Sequence, residues 1–114
     1  MSAITTHVLD TSSGRPAKGM AVTLQLRNDD GSWSQAARGV TDADGRLKDL
    51  LPIEATLVAA TYRLVFDTGA WFKAQGKECF HPEVSVVFVV KPPQGHYHIP
   101  LLLSPFGYTT YRGS

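Results

Sequence analysis

From Met20 to Arg27 the chain alternates: Met20, Val22, Leu24 and Leu26 are apolar, while Ala21, Thr23, Gln25 and Arg27 are small or polar. Successive side chains of a strand point to opposite faces, so this period of two predicts a strand with one buried face. Asn28-Asp29-Asp30-Gly31-Ser32 follows, rich in residues that tolerate the positive φ of tight reversals. A second strand is expected over Trp33–Val40, and Asp42-Ala43-Asp44-Gly45 marks the next turn. Tyr62, Leu64 and Phe66 alternate with Arg63, Val65 and Asp67 in a further strand, and Ile4 to Asp10 alternates as well. Between Val84 and Val90 both sets of positions are apolar apart from Ser85, which fits a strand covered on both sides, the second side by another subunit. Pro92-Pro93 is expected to stop that strand, because proline has no N–H to give to a ladder. His96 to Leu103 and Gly107 to Arg112 form a last pair joined by Ser104-Pro105-Phe106.

One segment departs from this period. Thr68-Gly69-Ala70-Trp71-Phe72-Lys73-Ala74-Gln75 predicts a short helix, with Asp67 or Thr68 as N-cap and Gly76 as C-cap. Two turns are marginal alone, so it must lean on a sheet through Trp71 or Phe72. Seven or eight short strands with regular turns and one helix read as an all-β sandwich.

Composition narrows the choice. The 114 residues make one domain, 1–114, with no repeat or linker. A chain of this length buries about two-thirds of its unfolded surface, so a disulfide is not needed, and the single Cys79 reads as a small half-buried hydrophobe. A net charge of +1 without a basic block argues against nucleic-acid binding by phosphate neutralisation. Val84–Val90 is far shorter than the ~20 apolar residues of a spanning helix, so no membrane partner is expected. Residues 1–6 carry no signal-peptide pattern and the last residues lack Ser-Lys-Leu, so a cytoplasmic location is expected.

The chemistry centres on four histidines, whose free pKa lies nearest neutrality. His81 precedes Pro82 and reads as a loop residue; His7 sits in the alternating first segment; His96 and His98 share one face of a strand. A His-x-His pair with His7 as third ligand would suit a metal, but no second motif such as His-Glu-x-x-His supports that reading. Arg46 follows a glycine turn and by itself is a solvated hairpin charge. Arg112 stands in Tyr111-Arg112-Gly113-Ser114, where a rigid fork of donors could grip a planar, carbonyl-rich ring. Trp33, Trp71, Phe72 and Phe80 are expected in the core. Ser104 lacks the glycines of a nucleophile elbow, so a triad with a histidine and Asp10 is weakly signalled.

Thr6-His7-Val8-Leu9-Asp10, Asp42-Ala43-Asp44-Gly45-Arg46, the run His96–Pro105 and the final Tyr-Arg-Gly-Ser resemble, in this order, the 5-hydroxyisourate hydrolases of the transthyretin-like family. The resemblance covers the chain from about residue 4 onward. It implies a transthyretin-like sandwich of two four-stranded sheets with the helix between the fifth and sixth strands. It also implies hydrolysis of 5-hydroxyisourate to 2-oxo-4-hydroxy-4-carboxy-5-ureidoimidazoline, with no metal and no cofactor. The implied catalytic residues are His7, Arg46, His98 and Ser114; Tyr111, Arg112 and Gly113 join them in holding substrate. His98 would remove a proton from water and His7 would orient it or share the proton, roles the sequence does not separate. The implied assembly is a homotetramer with active sites at the dimer–dimer interface. The hormone-carrier branch of the family has lysine, glutamate and threonine where His7, Arg46 and His98 stand here. A ligand carrier and a non-catalytic sandwich module are the rival classes.

Overall fold

The structure, a computed structural model, describes residues 2–52, 55–91 and 95–114. Nine strands run in chain order: β1 Ile4–Asp10, β2 Arg15–Pro16, β3 Ala21–Arg27, β4 Trp33–Val40, β5 Arg46–Leu47, β6 Ala60–Phe66, β7 Val84–Val90, β8 Tyr97–Leu103 and β9 Tyr108–Thr110. One helix, α1 Thr68–Lys73, lies between β6 and β7. They form two sheets. One has the order β4-β3-β6-β7; the other has β2-β1-β8-β9, with β5 also paired to β1. The second sheet thus has five strands rather than four. The two-residue β2 accounts for the extra strand, and for the helix following the sixth strand instead of the fifth.

The two sheets meet through one face each. Val22, Leu24, Leu64, Phe66, Val84 and Val90 from one sheet pack against Ile4, Val8, Ile99, Leu101 and Leu103 from the other, all buried. Alternation along β8 therefore puts Tyr97, Ile99, Leu101 and Leu103 on the core side, leaving His98 on the opposite face. The ladder between β1 and β8 is parallel, with Thr5 opposite His98 and His7 opposite Pro100. This is the only parallel pairing among the described strands.

Helix α1 takes its expected N-cap, Asp67, but ends at Lys73 with Ala74 as C-cap rather than Gly76, which instead closes the turn that follows. The Asp67 carboxylate accepts from the Ala70 N–H at 3.2 Å. At the other end Gly76 takes a φ of 67°, and Lys77 N–H closes on the Phe72 carbonyl while Gly76 N–H closes on that of Lys73. Phe72 inserts fully into the core, and the half-buried Trp71 donates its indole N–H to the Lys18 carbonyl at 2.7 Å.

Two aromatic residues expected in the core lie outside it. Trp33 opens the edge strand β4, half-buried, with the Arg63 guanidinium 4.2 Å from its ring centre. Phe80 is 68% exposed, in the loop before β7, its ring edge-on to His81. Both sit where the chain presents a solvent-side face, so ring size alone did not decide their burial. On β7 the inward residues Val84 and Val90 are buried, whereas Val87 and Val89 are each 55% exposed, so the second apolar face is open in the single chain. The Pro92-Pro93 stop lies outside the described residues. Among the described residues no helix is long and apolar enough to cross a membrane.

Candidate active site

The turn that carries Arg46 is built by one carboxylate. Asp42 Oδ1 accepts from the backbone N–H groups of Arg46 and Asp44, each at 2.9 Å, and these bonds hold the Asp42 carboxyl below the ordinary aspartate range. Gly45 completes the turn at φ 74°, with its carbonyl accepting from Val8 N–H at 2.7 Å. A Cβ on Gly45 would lie 2.3 Å from the Val8 carbonyl oxygen, so glycine is required there for conformation and for space. The result is β5, a strand of two residues whose Arg46 stands opposite His7 on β1.

β8 brings the imidazoles. The His96 and His98 rings lie roughly parallel, their centres 6.4 Å apart. Thr5, buried on β1, bridges them: its Oγ1 is 2.8 Å from His98 Nδ1 and 3.0 Å from His96 Nε2. After β9 the chain returns to this place, where Gly113 pairs with His98 and donates its N–H to the His98 carbonyl at 2.8 Å. Ser114 follows directly into the site.

Together Thr5, Thr6, Arg46, Lys48, His96, His98 and Ser114 line a cavity of about 200 Å³. His98 has its proton affinity lowered, first by burial and then by the neighbouring charges of His96, Arg46 and His7, so the ring is neutral near pH 7. His7 shares the region, but its Nε2 lies 2.9 Å from the Asp44 carbonyl oxygen. A carbonyl only accepts, so that nitrogen carries a proton and donates. The cavity is small, has cations on one wall, and offers a neutral imidazole, a hydroxyl and a guanidinium. That set suits attack of water on a carbonyl whose oxygen becomes negative.

Arg46, His98, Gly113 and Ser114 are therefore gathered in one place. His7 is at the margin, on the neighbouring strand position. Tyr111 and Arg112 are not at this cavity in the single chain: they line a separate hollow of about 330 Å³ with Val87, Val89 and Tyr97, and the Arg112 guanidinium lies 4.5 Å from the Tyr97 ring centre. Thr5, Lys48 and His96 line the cavity although the sequence did not single them out for it. The signal for Thr5 was its place two residues before His7 on the same strand face; for His96, its place two before His98. Among the described residues no cluster of three or more His, Cys, Asp or Glu side chains is arranged to hold a metal.

Residues 4–113 match the model of the HIUase/Transthyretin family. The chain is 44% identical to a 5-hydroxyisourate hydrolase of Salmonella dublin, over 97% of this chain and 80% of that protein. Among solved structures it resembles the 5-hydroxyisourate hydrolase of Klebsiella pneumoniae, at 38% identity and a TM-score of 0.86, covering 99% of this chain and 100% of that one. It also resembles sea bream transthyretin crystallised with thyroxine, at 40% identity and a TM-score of 0.91, covering 97% and 94%.

Proposed function

The chain belongs to the HIUase/Transthyretin family, and we propose that within it this protein is a hydrolase that opens the six-membered lactam ring of 5-hydroxyisourate. The observation that carries this reading is the convergence of His98, Arg46 and Ser114 on one cavity, with His98 biased toward its neutral form. A carrier needs a shaped apolar pocket and no base; here the cavity wall holds two histidines, an arginine and a lysine.

In this reading water is activated by His98 and adds to the ring carbonyl. The lactam C–N bond then breaks, the carbonyl carbon becomes a carboxylate and the ring nitrogen takes the proton, giving 2-oxo-4-hydroxy-4-carboxy-5-ureidoimidazoline. His98 is the base because His7 already commits its Nε2–H to Asp44, which suits His7 to orient substrate or water. Arg46 holds ring oxygens and the charge that grows on the attacked carbonyl, with Lys48 adding a second cation. Ser114 places its hydroxyl against substrate or water, and the Gly113 backbone keeps it there. Tyr111 and Arg112 complete the binding set, Arg112 turning from the Tyr97 ring toward substrate. General-base help of this kind is worth ~10²–10⁴ in rate, and a single oxyanion donor ~10²–10³.

The same reading makes the protein a homotetramer with its sites at the dimer–dimer interface. Strands β7 and β9 stand at the ends of their sheets, and Val87, Val89 and Tyr111 beside them are each 55% exposed. An apolar edge of that kind is usually covered. Analytical ultracentrifugation should give four times the chain mass, and a fully active monomer would refute this assembly.

The direct test follows the ultraviolet decay of 5-hydroxyisourate made in situ from urate and urate oxidase. The protein should speed the decay well above the spontaneous rate and His98→Asn should remove most of the gain. A decay no faster with the wild-type protein than without it would end the hydrolase reading in favour of a carrier.

A further inference from the structure

Thr5 Oγ1 has one hydrogen and touches two imidazole nitrogens, His98 Nδ1 at 2.8 Å and His96 Nε2 at 3.0 Å. A hydroxyl can donate to only one of them, so the other must donate its own N–H to the oxygen. The three groups therefore form a directed chain with two possible senses. If His98 is the base, its Nε2 must be unprotonated and its Nδ1 must carry the hydrogen. That fixes the sense: His98 Nδ1–H donates to Thr5, and Thr5 O–H donates to His96 Nε2.

We propose that Thr5 and His96 are positioning residues that fix the tautomer of His98 and receive, through the Thr5 hydroxyl, the proton that His98 takes from water. The step balances. His98 Nε2 accepts a proton from water, His98 Nδ1–H passes to Thr5 Oγ1, and the Thr5 hydrogen passes to His96 Nε2. His98 ends neutral in its other tautomer, and His96 becomes the imidazolium. The same chain run backward returns one proton through His98 Nε2 to the departing ring nitrogen, restoring both rings.

The location of the charge gives this arrangement its value. An imidazolium is least favourable where it is desolvated, and His98 is half-buried beside Arg46, Lys48 and His7. His96 is exposed at the mouth of the same cavity, where water can solvate the charge. The groups facing the pair are His7 from β1, Arg46 and Lys48 from β5 and its continuation, and the Ser114 hydroxyl from the segment after β9; among the described residues none of these side chains is an acid. Moving the positive charge from the half-buried ring to the exposed one thus places it where water can solvate it.

This inference rests on the hydrolase reading for its catalytic meaning, but its structural core is tested without substrate. Ring-nitrogen NMR of the free protein should show His98 as the Nδ1–H tautomer at neutral pH. Thr5→Val, close to isosteric, should leave the fold intact by circular dichroism and give His98 a mixed tautomer. An Nε2–H His98 in the wild type, or a tautomer unmoved by Thr5→Val, would overturn the relay. In turnover, Thr5→Val and His96→Gln should each lower kcat about tenfold or more with little change in KM, and Thr5→Ser should recover most of the loss. A proton inventory in mixtures of H2O and D2O should be curved for the wild type and linear for His96→Gln; a curve unchanged by His96→Gln would also overturn it. If the wild type fails to hydrolyse 5-hydroxyisourate at all, the hydrolase reading falls, and the NMR result still decides the bridge.

Discussion

Gly113 faces His98 across an antiparallel bridge so closely that a Cβ on the glycine would stand 2.6 Å from His98 Cδ2. No side chain fits in that space, and Pro100 Cγ, at 3.3 Å, closes the other direction. The His98 ring thus rests on the backbone of the segment after β9, and the glycine is what allows it.

Gly113→Ala should therefore push the His98 ring from its place between Thr5 and that backbone. The expected outcome is a loss of kcat of about tenfold or more, of the order of a misplaced general base. The bridge buries little, so the melting temperature should fall by only a few degrees. Activity equal to wild type would show that the ring does not need this support.

The pH dependence follows from the lowered proton affinity of His98, caused first by burial and then by His96, Arg46 and His7. The catalytic rate should be level around neutrality and fall in acid, below the ordinary histidine value of ~6.5. Stability follows the same sign. The unfolded chain takes up its proton near ~6.5 and the folded chain only at lower pH, so the unfolded state binds more protons in between. This contribution is fully present above ~6.5 and is lost as pH falls through the folded value. His98→Asn lacks the titration, so its melting temperature relative to wild type should rise between pH 7.5 and pH 5. A difference independent of pH would mean that His98 titrates as it does in water.

Arg46→Lys should test geometry against charge. Lysine keeps the cation but loses the planar fork, and a loss of kcat/KM of about tenfold or more is expected. Arg38→Ala, on the exposed face of edge strand β4, is the control and should change nothing measurable in the same assay.

Gly45→Ala addresses the scaffold beneath Arg46. A left-handed φ of 74° and a Cβ 2.3 Å from the Val8 oxygen together predict destabilisation of about 1–3 kcal/mol or more, read by denaturant unfolding. Activity per folded molecule should fall too, because β5 is only two residues long and the turn is what positions it.

Residues appended after Ser114 would start from inside the cavity that Ser114 lines. An extension there should reduce activity strongly, while removal of residues 111–114 should cost activity far more than stability. A tagged protein within a few-fold of the untagged one would remove Ser114 from the site.

Much of the sandwich could be read from alternation. Trp33–Val40 and Val84–Val90 have the bounds their patterns imply, and Asp67 starts the helix by capping chemistry that is local in sequence, although the helix ends three residues before Gly76. β2 and β5 could not be read this way, since two residues carry no period. Arg46, His98, Gly113 and Ser114 were found by motif, and the fold brings them together. The Thr5 bridge was not legible, because it depends on the parallel register of β1 on β8, a fact of pairing rather than of either segment. Trp33 and Phe80 were misplaced for a related reason: which side of an edge strand or loop faces solvent is decided by neighbours distant in sequence.

The parallel ladder of β1 on β8 has a consequence for how the protein comes into being. Thr5 and His98 are separated by 93 positions, and the last wall of the cavity comes from residues still later in the chain. Closing so long a loop is costly in entropy before any contact repays it, and such pairings slow folding. On a ribosome, which delivers the chain from its first residue, β1 must wait with one side unpaired until β8 has emerged. No fragment that stops short of β8 can hold the imidazole wall of this site, since His96 and His98 come with that strand. Catalytic activity in this protein is thus a direct report of a finished fold.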